Sequence, residues 1–453
     1  MKTKNLVLVT AMAVGMGSIF TSCSKKEGCT DSTAENYRID ADKDDGSCTY
    51  ATITPPAGSN TVIISDNGSG TGTATWTKDK VYLLDGFVFV NSGQTLTIQA
   101  GTVIKGKPGT GVNASALIVA KGAHINAIGT AAEPIIFTFE ADPLDGSVGL
   151  TTTGQWGGLI VLGDAQLNTV PTTQNIEGIP TSEQRGAYGG ANDNDNSGTL
   201  KYISIRHGGT DIGAANEING LTLGGVGAGT VIEYIEVVAN ADDGIEFFGG
   251  TPNLKHILVS NVLDDSYDYD QGFRGKGQFW VAIQNANSDR GGEHDGGTSP
   301  EDGLPYATPM IYNATYIGNG ISRALTFRDN AGGEYHNAIF HNFGKGIDIE
   351  DLASGEDSKA RLDAGQLKFA GIVLSTIGSN NIVDNNGNDL SGHASITNVS
   401  TAAAGITATN PVPTASLGTG IASGDAWYDG VTYLGAFDVN GTNWAQGWTL
   451  TFP

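Results

Sequence analysis

The chain has 453 residues and a formal net charge of −24, with 24 Lys and Arg against 48 Asp and Glu. So acidic a protein repels phosphate backbones and anionic lipid headgroups, which sets aside nucleic acid and a charged membrane surface as partners. Charged residues are only 16 % and hydrophobic ones 39 %, the balance of a globular chain and not of a disordered acidic one.

Residues 1–22, MKTKNLVLVTAMAVGMGSIFTS, begin with Lys2 and Lys4 and read as a secretory signal. The apolar run from Leu6 to Phe20 is interrupted by Thr10, Gly15, Gly17 and Ser18, and falls short of the roughly 20 apolar residues of a membrane span. It ends in SIFTSC, which resembles the lipobox of bacterial lipoproteins, with Phe20 where Leu is usual. The resemblance implies that Cys23 is lipidated and tethers the chain to an outer membrane; ordinary cleavage leaving a free thiol is the alternative. The SKKE that follows is similar to short surface-export signals.

Residues 23–50 form a small acidic module. Cys29 and Cys48 are its other two cysteines, and outside the cytoplasm they are expected to pair, which closes a loop for about 3 kcal/mol in the chain-entropy model. Asp40, Asp42, Asp44 and Asp45 precede Gly46, a set of oxygens suited to calcium or, on the plainer reading, a solvated turn. The spacing is not that of an EF-hand. The pattern resembles GCTD…DDGSC modules of surface proteins from Bacteroidota-type bacteria.

Residues 51–80 are assigned as an N-terminal cap and 81–397 as the body. The body alternates apolar and polar residues in pieces such as TLTIQAGTVIKG and GGLIVLGDA, each stopping at Gly, Asn or Pro, as short strands do. The chain's 66 glycines, about twice an average usage of roughly 7 %, supply the turns and show no collagen period. The pieces also repeat. Aligning Ile203, Ile235, Ile257, Val281, Ala314, Ala338 and Gly371 gives variable steps. A second strand of the type Gly244-Ile245-Glu246-Phe247 or Gly346-Ile347-Asp348-Ile349 follows in several repeats. Short strands at irregular steps with like residues in register predict an all-β, right-handed parallel β-helix, in which stacked windings share one core. A propeller needs a steadier, longer period. Residues 398–453, with Trp427, Trp444 and Trp448, are expected to cap the far end.

The run from GTAAEPIIFTF through DDGIEFFGGTPNLKHILVSNVLDDSYDYDQGFRGKGQF to the ending YLGAF…NWAQGWT resembles β-helix surface lipoproteins of Bacteroidota-type bacteria. The resemblance implies the fold and the lipid anchor, and little about activity.

The densest polar cluster lies between Asn240 and Asp295. Asp242, Asp243, Asp264, Asp265 and Asp268 are candidate calcium ligands, because Asp243 and Asp265 are one winding apart and like charges stacked at strand spacing need a cation or a shared proton. For an enzyme, Asp243, Asp264 and Asp265 would supply metal or acid, with Arg274 or Lys276 as base or sugar-acid clamp and His207 or His294 nearby. Tyr267, Tyr269, Phe273 and Trp280 are candidate sugar-stacking platforms. The plainer reading makes the Asp-Asp-Gly corners turns. GGVGAG at 224–229 is no phosphate cradle, since no helix follows it. The leading expectation is an outer-membrane lipoprotein, facing the cell surface or the periplasm, whose monomeric, calcium-stabilised body binds a glycan or a protein of an outer-membrane complex. The rival is a polysaccharide lyase or glycoside hydrolase in the 240–295 groove, and a third reading is a structural adhesion component.

Overall fold

The computed structural model describes residues 60–213 and 216–453, together with 26–28, 38, 40, 41 and 43. Cys23, Cys29, Cys48, Asp42, Asp44 and Asp45 lie outside the described residues. The chain divides into two compact units, residues 1–51 and 52–453. In the first, the exposed Asp40 contacts Arg38 (3.1 Å) and Lys26 (3.2 Å), and hydrogen bonds from these two hold its carboxyl below the ordinary range. Among the described residues no helix is long and apolar enough to cross a membrane.

In the second unit residues 60–400 wind as a right-handed parallel β-helix. Two parallel sheets carry it, one of ten short strands (the front sheet) and one of 17 (the back sheet). A complete winding shows the pattern. The back-sheet strand Val231–Val238 bends at Tyr234, turns at 239–244, continues as the front-sheet strand Ile245–Phe248 and returns to the next back-sheet strand, Asn253–Ser260. The bend needs one left-handed residue per winding. Tyr202, Tyr234, His256 and Phe279 take it with φ of 50–59°, a conformation uncommon outside glycine. Stacking repays the strain: Tyr202 on Tyr234 and Tyr234 on His256 at 4.3 Å, His256 on Phe279 at 4.7 Å.

Register places Ile203, Ile235, Ile257 and Trp280 in one inward column. Val281 pairs instead with Leu258 and Thr315, so the sequence alignment slips by one residue there, and a slip of one exchanges the two faces of a strand. Gly277 makes room for the inward Trp280; a Cβ there would lie 2.6 Å from the indole. In the front sheet Leu223, Phe247, Tyr269, His294, Phe327 and Ile349 form another inward column. Tyr267, Tyr269, Phe273 and Trp280 are therefore core residues, each at most 1 % exposed, stacked as Tyr267 on Trp280 (4.7 Å) and Phe247 on Phe273 (4.3 Å). This corrects their assignment as sugar platforms: strand alternation turns them inward and their acidic neighbours outward.

The first described strand, Asn60–Ser65, pairs in parallel with Lys80–Asp85, so residues 60–80 take part in the winding itself. Residues 404–453 run along the flank over the back-sheet bend. Trp444 meets His256 edge-on at 5.2 Å and Trp448 meets Tyr202 at 5.4 Å. Asn337 donates to Ile421 O and accepts from Ile421 N. The buried Glu236 carboxylate accepts from the backbone N–H groups of Leu450 and Thr451 at 2.9 and 2.8 Å. Past the last winding lies a cavity of about 600 Å³ lined by Leu374, Ile382, Val383, Ile396 and Val399 among others.

Candidate functional site

On the outer face of the front sheet the register aligns Thr222, Glu246, Asp268, Glu293, Thr326 and Asp348 in one column across successive windings. Each faces out because its strand neighbours fill the core. The turn just before these strands carries a second column. Asp243 Oδ1 accepts from the backbone N–H of Asp265 (2.9 Å), and Asp265 Oδ1 from that of Arg290 (2.6 Å). Asp243 and Asp265 thus stack on one corner, as their 22-residue separation implies. These carboxylates serve as caps for the next winding's turn and still leave oxygens over. Ligand oxygens of Asp242, Asp243 and Asp264 lie within 4.8 Å of one another, as do those of Asp243, Glu246 and Asp268, and those of Asp264, Asp265 and Asp289.

The cations stand at one end of this face. Arg290 contacts Asp289 (2.7 Å), Glu293 (3.1 Å) and Asp265 (3.2 Å). Arg328 contacts Asp295 (2.7 Å) and Glu293 (2.8 Å), and Arg323 contacts Asp348. Among the described residues Asp242, Asp243, Glu246 and Asp268 form no ion pair. Asp243 and Glu246 are only 7 % and 9 % exposed. Burial first, and then neighbouring carboxylates, push Asp243, Glu246 and Asp268 well above the ordinary carboxylate range; Asp265 rises chiefly through burial, against the pull of Arg290. Burial, with Glu177, Glu217 and Asp264 around it, pushes Asp242 up to about 7. Carboxylates arranged this way keep protons or take up a cation. The buried Thr222 Oγ1, next to Glu246 in the column, and the Oδ1 atoms of Asp268 and Asn219 have no hydrogen-bond partner. An all-oxygen set with free lone pairs and no His or Cys suits a hard cation.

Glu177, Asn219 and Thr222 escaped the sequence reading. Glu177 sits in the connection between the strands Leu159–Leu162 and Gly198–Arg206. Asn219 Nδ2 donates to both Glu246 and Glu177, the latter at 3.4 Å. Burial pushes Glu177 up to about 7. Asn219-Gly220 stands one winding before Asp243-Gly244, with Gly220 N donating to Asp243 O, and that repeated Asx-Gly was the available signal. Nothing local to the sequence marked Glu177.

Arg274 and Lys276 are not part of this face. The chain leaves the front sheet after Asp270, so Arg274 pairs with Asp193 (2.8 Å) and with Gln166 O, and Lys276 opens a back-sheet strand and pairs with Asp425 of the C-terminal segment. Among the described residues Asp243 and Lys276 therefore do not line one groove. His294 points inward, with Nε2 2.8 Å from Tyr335 Oη, and burial lowers it to about 3. His207 is buried, with Nδ1 2.7 Å from Thr152 O.

No curated protein matches the chain. The solved catalytic domain of a GH87 alpha-1,3-glucanase in complex with tetrasaccharides aligns with 75 % of this chain and 68 % of its own length, at 10 % identity and a TM-score of 0.27. The model of the pectate-lyase like beta helix domain matches residues 31–449. With the winding, the two parallel sheets and the shared core already in place, that match over nearly the whole sequence assigns the chain to the pectate-lyase-like β-helix domain family.

Proposed function

We propose that the chain is a glycan-binding β-helix, anchored through Cys23 at the outer-membrane surface, whose front-sheet face works through bound Ca²⁺. The observation that carries this reading is the column Glu246–Asp268 beside Asp242, Asp243 and Asp264, with none of which a Lys or Arg among the described residues forms an ion pair. Ca²⁺ takes six to eight oxygens. Asp243 with Asp242 and Asp264, or with Glu246 and Asp268, would give one ion about half of them, and sugar hydroxyl or carboxyl oxygens would complete the shell. An ion also offsets the repulsion between so acidic a surface and an acidic sugar.

Titration calorimetry against acidic and neutral oligosaccharides, with Ca²⁺ and then with EDTA, tests it. Binding should need Ca²⁺ and be lost in Asp243→Asn/Asp268→Asn. Glycan binding indifferent to both would sink the reading. The surface location is checked by protease shaving of intact cells and the anchor by mass spectrometry of the N-terminal peptide.

One observation favours hydrolysis as a second reading. Glu177 and Glu246 share the Asn219 amide, and a protonated carboxyl beside an ionised one is the apparatus of acid–base glycoside cleavage. New reducing ends, abolished in Glu246→Gln, would establish it. A lyase would need another base, because Arg274 and Lys276 are engaged elsewhere.

A further inference from the structure

Away from that face, three carboxylates converge where the windings turn out of the front sheet. Asp329 follows the strand Arg323–Arg328, Glu350 follows the strand Lys345–Ile349 of the next winding, and Glu301 comes from the connection 296–309. One ligand oxygen from each lies within 4.8 Å of the other two. Glu350 Oε2 accepts from Asp329 N at 2.9 Å, which leaves Oε1 for another partner. Among the described residues none of the three forms an ion pair. After burial, the charges acting on Glu301 are Asp329, Asp302 and Asp357 and those on Glu350 are Asp329, Glu301 and Asp357, all negative, and both groups are raised.

A second feature points to a ligand. Asn330 is 1 % exposed, and its Oδ1 has no hydrogen-bond partner. Its Nδ2 donates to the backbone carbonyl of Glu301 at 3.4 Å, which sets the amide beside one of the three residues. An amide oxygen buried without a donor costs about 1–3 kcal/mol, a cost that a coordinated cation removes.

We propose that Glu301, Asp329 and Glu350, with the amide oxygen of Asn330, form a divalent-cation site that takes Ca²⁺ and fastens the connection 296–309 to two successive windings. Carboxylate and amide oxygens without nitrogen or sulfur select a hard cation. A ligand on a surface connection suits the adaptable shell of Ca²⁺ better than the strict octahedron of Mg²⁺. The ion would act at a distance as well. The same connection donates from Thr298 Oγ1 to Asp270 (2.8 Å) and accepts from Asn168 Nδ2 at Gly296 O (2.7 Å). Ordering it steadies the segment that begins at Asn168 and carries Glu177 to the acidic face. The site stands whether or not that face binds glycan.

The test uses the full chain and Ca²⁺ alone. Equilibrium dialysis should show Glu301→Gln/Glu350→Gln binding one ion fewer than wild type, with the circular dichroism spectrum unchanged, whereas Asp243→Asn/Asp268→Asn retains that ion. Proteolysis within 296–309 should slow about tenfold in wild type when Ca²⁺ is at ten times its Kd, and not in the Glu301/Glu350 variant. An ion count identical in wild type and that variant overturns the proposal. Should the variant not fold, wild-type crystals soaked in Tb³⁺ decide: anomalous density among the three carboxylates supports the site, and its absence overturns it.

Discussion

On the flank of the back sheet Tyr202, Tyr234, His256 and Phe279 stack ring on ring, while on the outer front sheet Glu246, Asp268 and Glu293 stack charge on charge. One rule of winding builds both columns, and the energetic consequences are opposite. Each aromatic step gains roughly 0.5–1.5 kcal/mol beyond burial and offsets a left-handed backbone. The C-terminal segment then covers the column. Each carboxylate step adds repulsion, and Arg290 and Arg328 answer only the far end. A β-helix therefore stabilises apolar ladders by repetition alone. A ladder of like charge persists where protons or a ligand compensate it, and on the proposed reading recognition belongs to the front sheet and stability to the flank.

The largest effect should come from removing the cover. Deleting residues 404–453 takes away Leu434, Phe437, Trp444, Trp448 and Phe452, which are buried or half-buried against the bend column and its neighbours. At about 1.5–3 kcal/mol for each buried side chain, the loss is about 8–15 kcal/mol, as large as the whole stability of a typical domain. The truncated chain should aggregate on expression. A soluble monomer with wild-type Tm, measured by calorimetry and light scattering, would show that the flank column needs no cover.

The acidic column should respond to pH and calcium with a smaller change. Glu177, Asp242 and Asp295 are raised to about 7, each with burial as the main cause, and burial likewise lifts Asp243, Glu246, Asp265 and Asp268 well above the ordinary carboxylate range. Unfolded carboxyls lose their protons near pH 4, so from there upward the native state binds more protons than the unfolded chain. The stability these groups contribute is thus complete below about pH 4 and falls as pH rises through 7 and beyond. In EDTA, Tm should drop between pH 5 and 8. Ca²⁺ should restore it at pH 8, and Glu246→Gln should flatten the slope. A Tm in EDTA that is level over this range would mean that the column is already compensated.

The winding was legible because its evidence is repetitive: the recurring strand pairs built on Gly244-Ile245-Glu246-Phe247 and Gly346-Ile347-Asp348-Ile349 both lie in the front sheet. The Asp243–Asp265 corner was legible for the same reason. What failed was phase. The bend inserts one left-handed residue whose identity changes from Tyr202 to Phe279 to Asn313, so no letter in the sequence marks it, and the register slipped at Val281. That slip hid the inward position of Trp280. Contacts between distant segments were illegible for a different reason. Glu177 meets Glu246 through Asn219, and Lys276 meets Asp425, across separations that no local pattern encodes.

The smallest effect isolates one ring of the flank column. His256 lies between Tyr234 and Phe279, its Nδ1 has no hydrogen-bond partner, and burial lowers it to about 4. Native His256 therefore stays neutral where the unfolded residue, with its ordinary value near 6.5, takes a proton. Its contribution is complete above about pH 6.5 and diminishes as pH falls toward 4. His256→Phe keeps a ring in the stack, and Phe279 already occupies the same bend with φ of 59°, so the backbone accommodates the exchange. At pH 7.5 the variant should lie within about 1.5 kcal/mol of wild type. It should gain on wild type as pH falls to 5, because the residue that resists protonation is gone. Urea unfolding at the two pH values reads this difference directly. A gap that stays constant would mean that the column holds its rings together without excluding the proton, and that the C-terminal cover does not desolvate them.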